Sequence, residues 1–228
     1  MTAMPGEIVS CSGCHERAGS VPAVRTTMAS VKPPTEIEPW HGAVRGFSFA
    51  REVQPVLDRH CVGCHDGEPR DDGVEIPDLR ADQGKYFVVK DNDPELKVIR
   101  NTSREGLVAQ YGGVFEPSYV ELRRHVRVGG FESDLRLLHP REFHVSTSPL
   151  FQMLSKGHHG VDPGTEDLDR LITWVDLNTP CHGTWQDIVG SRQTRGDHAR
   201  RLALRQRYGG DTTDPEVYPV SLAAAPGP

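Results

Sequence analysis

The feature that most constrains this chain is a repeated pentapeptide: Cys11-Ser-Gly-Cys14-His15 and Cys61-Val-Gly-Cys64-His65 both read C-x-x-C-H. Two thiols at this spacing, followed at once by an imidazole, are the attachment signature of c-type haem. The spacing lets both thiols reach the vinyl groups on one edge of a porphyrin, and the adjacent His then sits under the iron as proximal ligand. With the chain's own Cys and His frequencies, one chance match has a likelihood of roughly 0.5%, and two of roughly one in 100,000. A covalently held macrocycle would also supply apolar surface that a poorly patterned chain lacks.

Structural zinc is the competing reading, because paired C-x-x-C motifs also build tetrahedral sites. Against it stand the 46 residues between Cys14 and Cys61 and a His directly after each second Cys, which zinc does not require. A thioredoxin-like redox pair needs a strand-to-helix setting, and the segment around Cys11 offers none. The expected cofactor is therefore two haem c, held covalently by Cys11, Cys14, Cys61 and Cys64, with His15 and His65 on the irons. The remaining Cys181 is expected to be buried and inert.

Composition bounds the rest. The 228 residues allow one large or two small domains, but 23 Gly, 18 Pro and a hydrophobic share of 36% argue for few long elements. The fold class expected is mainly α with extensive loops. A net charge of −6 gives no positive field for nucleic acid or an anionic membrane. No run of 18 apolar residues is present, so no membrane-spanning helix is expected. The N-terminal residues lack a charged region followed by an apolar one, so they show no secretory signal.

Three stretches follow from composition shifts. Residues 1–46 are irregular and Pro-interrupted, a short haem-binding segment around the first motif. Residues 47–190 hold the second motif. Within them Phe49, Val53, Val56, Leu57 and His60 recur at helical spacing and lead into Cys61. Residues 66–147 alternate polar turns with short apolar pieces such as Tyr86 to Val89, and one helix is expected over Ser118 to Val126. Ser148-Pro149 reads as an N-cap with proline at the first helical position, opening a helix to about Leu154. Met153 falls in its apolar row with Leu150 and Leu154 and is expected in the core. Thr165 opens an amphipathic helix with Leu168, Leu171, Ile172 and Val175 inward, closed by Asn178-Thr-Pro180. Residues 191–228 form a basic helix over about Gly196 to Tyr208, stopped by Gly209-Gly210, and a tail expected to fray from 211 on. Arg200, Arg201, Arg205 and Arg207 are a candidate docking face for an acidic redox partner, although a solvated helix face is the more common reason for such a stretch.

The order from Phe47 onward resembles a class I cytochrome c domain: apolar helix, C-x-x-C-H, long loop, Ser148-Pro149-Leu150, a His pair, and an apolar helix containing Trp174. A closer resemblance covers about residues 8–210. Phe47 through His65, Phe143-His144 through Val161, Leu171 through Asn178 and His182-Gly-Thr-Trp185 look like the C-terminal dihaem region of proteins related to the hydrazine synthase alpha subunit.

That resemblance implies a cytochrome c-like haem domain preceded by the short haem-binding segment. It also implies a β-propeller domain or subunit as neighbour; separately, covalent haem attachment takes place outside the cytoplasm, so a periplasmic or equivalent compartment is expected, and a redox protein is the expected partner. The segment that usually supplies a distal Met here reads Gly157-His158-His159-Gly160. The family's Gly-His pattern implies His158 as distal ligand of the second haem, with His144 next and His159 beside it. For the first haem, His41, Met28, water or a partner chain remain open. An iron with His on both faces has no open site for substrate, so the function expected is electron transfer by a dihaem module. The alternative is a haem enzyme acting on small nitrogen compounds, with the first haem as catalytic centre. That role is tied in the family to a tyrosine soon after the first motif, whereas the first Tyr here is Tyr86. The histidines His60, His125, His139, His182 and His198 are expected at the surface or hydrogen-bonded.

Overall fold

The computed structural model describes residues 26, 28–33, 36–70, 73, 75–89, 95–100, 102–111, 113–129 and 138–219. The chain divides into two compact units, Met1–His41 and Gly42–Pro228. The described part of the first contains one helical turn, α1 (Met28–Val31), and Trp40 packed edge-to-face on His41 with ring centroids 4.8 Å apart. Cys11, Cys14 and His15 lie outside the described residues.

In the second unit a π-helical turn, Phe49–Val53, runs directly into α2 (Gln54–His60). Pro55 stands in the first turn of α2, where its missing N–H costs no helical hydrogen bond. Phe49, Val53, Val56 and Leu57 are all buried, as their spacing requires. They form the main core with Tyr119 and Leu122 from α4 (Pro117–Arg123), Leu150 from α5 (Pro149–Ser155), and Leu171, Trp174 and Val175 from α6 (Gly164–Asp176). Trp174 is fully enclosed, 5.3 Å from the Phe49 ring and 6.2 Å from Tyr119. Its indole N–H donates to the Pro180 carbonyl at 3.1 Å, so the largest core side chain leaves no polar atom unpaired.

The unit is partly helical and also contains a three-stranded sheet that the expected fold class does not include. β1 (Lys85–Val89) pairs antiparallel with β2 (Leu96–Arg100) and with β3 (Val114–Phe115), in the order β2-β1-β3. The strands are rich in Val, Ile, Tyr and Phe, which suit a pleated, half-buried surface. They are too short for periodicity to distinguish them from loop pieces. α3 (Arg104–Tyr111) covers the sheet, burying Leu107 and Val108 against Val88 and Val114 in a separate small core.

Four local expectations need correction. Ser148 occupies the N-cap position of α5 but makes no side-chain cap; its buried hydroxyl accepts from the Arg127 N–H at 3.0 Å and ties down the preceding loop. Helix α6 begins at Gly164, with Thr165 inside it, because Asp162 turns the chain by accepting the Gly164 N–H at 3.0 Å. Met153 is 39% exposed, outside the core, since Leu150, Phe151 and Leu154 take the inward side of that short helix. The tail is docked rather than frayed over 211–219: the Tyr218 hydroxyl donates to Asp187 at 2.5 Å, Glu216 accepts the Gln186 N–H at 2.8 Å, and Arg51 lies over the Tyr218 ring at 3.9 Å.

The docking places residues 191–219 in the same unit as 47–190. Helix α7 (Trp185–Val189) starts with a capping box between Thr184 and Asp187, and α8 (Ser191–Gly209) is longer than its basic stretch. Gly46 and Gly183 cross so closely that a Cβ on Gly46 would stand 1.8 Å from the Gly183 carbonyl oxygen, which makes glycine obligatory there.

Candidate functional site

The site begins where α2 ends. The N–H groups of Cys61 and Val62 both reach the Leu57 carbonyl, and those of Cys64 and His65 both reach the Cys61 carbonyl, at 2.8 to 3.0 Å. This helical turn brings residues three and four apart to neighbouring positions, which is the geometric content of the C-x-x-C-H spacing. Both sulfurs are free thiols; Cys61 is half-buried and Cys64 exposed. Burial, with Cys64 alongside, pushes the Cys61 thiol up to about 11.

His65 is oriented by a peptide carbonyl. Its Nδ1 lies 3.0 Å from the Pro77 oxygen, and because a carbonyl only accepts, the ring proton sits on Nδ1 and the Nε2 lone pair is left for a ligand. The loop carrying Pro77 is fastened at several points. The Leu79 N–H donates to the His65 carbonyl at 3.0 Å, and Gln54 donates to the Leu79 carbonyl at 3.0 Å. Gln54 in turn accepts from the Ser118 hydroxyl at 2.7 Å. At Gly67 the chain has φ 75° and passes so close to Asp78 that a Cβ would fall 2.6 Å from its carboxylate, so glycine closes the loop.

His158 comes from the loop between α5 and α6. Left-handed backbone at Gly157, His159 and Gly160 bends this loop tightly, and the His158 carbonyl accepts the Val161 N–H at 2.9 Å. The His158 ring stands 6.0 Å from the His65 ring, centroid to centroid, with planes at 34°. An imidazole–metal bond is about 2.0 Å and the centroid lies about 1.1 Å behind its nitrogen, so two rings ligating one metal from opposite sides stand about 6.2 Å apart. The observed gap fits that separation. Burial lowers the His158 pKa, and the neighbouring His159 and His65 lower it further, which favours the neutral ring that a metal requires.

The other candidates are placed differently. His159 is exposed and packs edge-to-face on His158 at 4.8 Å. His144 is exposed and its Nδ1 accepts from the Ser146 N–H at 3.1 Å within its own turn. Met28 is 76% exposed, and His41 contacts Trp40. His60 bonds Asp167 at 2.8 Å and His198 bonds Asp214 at 2.9 Å. His182 departs from the expected pattern, since its Nε2 is buried without a hydrogen bond. Cys181 is 7% exposed, and burial together with Glu116 raises its thiol pKa strongly. Of the basic face, Arg201 and Arg205 are engaged by Glu216 and Asp211.

Among the described residues no three His, Cys, Asp or Glu side chains converge on one point as a metal group. The described donor set is the thiols of Cys61 and Cys64 on one turn and the His65 and His158 rings, at a centroid spacing compatible with two imidazoles on one metal. Residues the sequence did not signal are Gln54 and Pro77, which orient His65 through backbone contacts, and Asp167, which bonds Arg59 and His60 just before the motif. No helix among the described residues is long and apolar enough to cross a membrane. Comparison with family models, with curated proteins and with solved structures gives no match to the chain.

Proposed function

We propose that the chain is a dihaem c-type cytochrome module whose task is electron transfer. The observation that supports this most is the 6.0 Å spacing of His65 and His158 next to the paired thiols of Cys61 and Cys64. Haem c, when bound, supplies a one-electron iron couple. In this reading Cys61 and Cys64 would hold the macrocycle covalently, His65 and His158 would ligate the iron, and the Pro77 carbonyl keeps the His65 proton on Nδ1. With both faces closed, the site has no position for substrate, which favours a carrier over a catalyst at this centre. Imidazole in place of the thioether that cytochromes commonly use lowers the potential.

The resemblance to the hydrazine synthase alpha-related dihaem region supports a cytochrome c-like domain, a redox protein as partner and a β-propeller domain or subunit alongside. Cys11, Cys14 and His15 carry the first haem of the proposal by motif alone. Because thioether attachment takes place outside the cytoplasm, the reading carries a periplasmic or equivalent compartment with it.

The test is maturation in a host competent for c-type haem attachment, followed by pyridine haemochrome assay and electron paramagnetic resonance. Two covalent haems per chain, at least one with a low-spin signal typical of two imidazoles, are expected. Stoichiometric zinc in place of haem overturns the reading.

A further inference from the structure

Asp167 stands in the first turn of α6 and holds the two residues just ahead of Cys61. Its carboxylate accepts from Arg59 at 2.5 and 3.1 Å and meets His60 Nε2 at 2.8 Å. Its side chain is only 14% exposed, against 48% for Arg59 and 25% for His60. Asp167 follows His158 by nine residues, and the Arg59-His60 pair immediately precedes the motif that carries His65. The carboxylate therefore bridges the strand of chain that delivers one imidazole and the strand that delivers the other.

The intervening loop needs such an anchor. Between His158 and α6 it runs through left-handed backbone at His159, Gly160 and Gly164, the last two without a side chain to pack. Its upstream end is set by α5, whose Leu150 is buried. Its downstream end is set by α6, which Leu171, Trp174 and Val175 hold in the core and Arg170 ties to Glu52. Those contacts fix α6 along its middle. The bonds of Asp167 lie at its first turn, close to the loop, beside the pairing of Glu166 with Arg170.

We infer that Asp167, with Arg59 and His60, is a positioning clamp that sets the approach of His158 to the iron opposite His65. The inference rests on the haem reading above. It adds that the distal ligand is held by a contact on the proximal strand rather than by its own loop. Loosening the clamp lets His158 leave the iron more often, while the thioethers and His65 keep the haem attached.

The test uses the matured holoprotein, with carbon monoxide binding to the ferrous state as the probe, because the gas enters only when a ligand has left. Asp167→Asn is expected to speed its association at the second haem roughly tenfold, the size of effect that coupled contacts of this kind produce. Arg59→Gln, on a half-exposed side chain, is expected to act in the same direction and stands in if Asp167→Asn does not fold. Asp211→Asn, which removes an ion pair of the same chemistry on the α8 side, is the control and is expected to change nothing. Full haem content with unchanged association in both clamp variants overturns the clamp and leaves the cytochrome reading standing. Equal acceleration in the control overturns it too, by showing general loosening. Absence of covalent haem from the unmutated protein overturns both.

Discussion

Arg45 lays its guanidinium along the Glu52 carboxylate, Nε to Oε1 at 2.6 Å and a terminal nitrogen to Oε2 at 2.9 Å, with side chains 3% and 1% exposed. Arg170 from α6 reaches the same Oε2, and Glu166 completes the cluster on Arg170 at 2.7 Å. Glu52 lies in the π-helical turn that leads into α2, so one buried acid joins the segment before the Cys61–His65 turn to the helix after the His158 loop. A buried charge pair adds little stability when intact, but removing one partner leaves the others uncompensated. Glu52→Ala is therefore expected to cost about 3 to 5 kcal/mol in urea unfolding at unchanged slope. A loss below about 1 kcal/mol would mean that water reaches these guanidiniums.

The thiols give a second expected outcome. Cys11, Cys14, Cys61 and Cys64 are consumed as thioethers if both haems are attached, so intact mass should exceed the chain by two haems. Cys181 should then be the one thiol that reacts after unfolding and should resist reagent in the native state, because it is buried with its proton held tightly. Five reactive thiols in the unfolded, matured protein would refute covalent attachment.

What the sequence revealed of this protein follows the range over which its signals act. The helix leading to Cys61 and the inward set of α6 were legible because one continuous segment carries the whole pattern, and Phe49, Val53, Leu171 and Val175 are buried accordingly. The small sheet was not legible: β3 is two residues long, and its pairing with β1 is a contact between segments that neither encodes alone. Ser148 misled for a related reason, since a serine before proline is a capping signal until a distant backbone N–H, that of Arg127, claims its hydroxyl. At the site the motif named His65, but nothing local marks the Pro77 carbonyl that orients it. His158 and His159 are adjacent and chemically identical in sequence. Only the loop's left-handed residues make one face His65 and the other solvent.

His182 supplies a pH dependence whose sign can be worked out. Its Nε2 is buried without a hydrogen bond and its ring lies 5.4 Å from Phe115. Burial is the main cause of its lowered pKa, and Arg104 adds to it. The unfolded chain therefore takes up this proton first as pH falls, and folding stability declines once pH drops below the free imidazole value of about 6.5. Above that value both states are neutral and the contribution is flat. His182→Phe removes both the titration and the unpaired nitrogen while keeping a ring against Phe115. Relative to the parent, this variant should gain stability as pH falls from about 8 to about 5. Parallel stability–pH profiles for the two proteins would exclude this assignment.

The last expected outcome separates the adjacent histidines. His158 stands 6.0 Å from His65, while His159 is exposed and touches His158 edge-on. If His158 closes the iron, His158→Ala should leave the haem attached through Cys61, Cys64 and His65 but convert that centre to a high-spin form that binds carbon monoxide. His158→Met should restore a six-coordinate centre at higher potential, because a thioether favours the ferrous state more than imidazole does. His159→Ala should leave the spin state unchanged, since it removes a ring that packs against the ligand without facing His65. His144→Ala should likewise do nothing at the iron, its Nδ1 being engaged by Ser146. Electron paramagnetic resonance of the four variants decides the matter. A high-spin signal from His159→Ala or His144→Ala, with none from His158→Ala, would place the distal ligand on the wrong histidine while leaving the covalent haem intact.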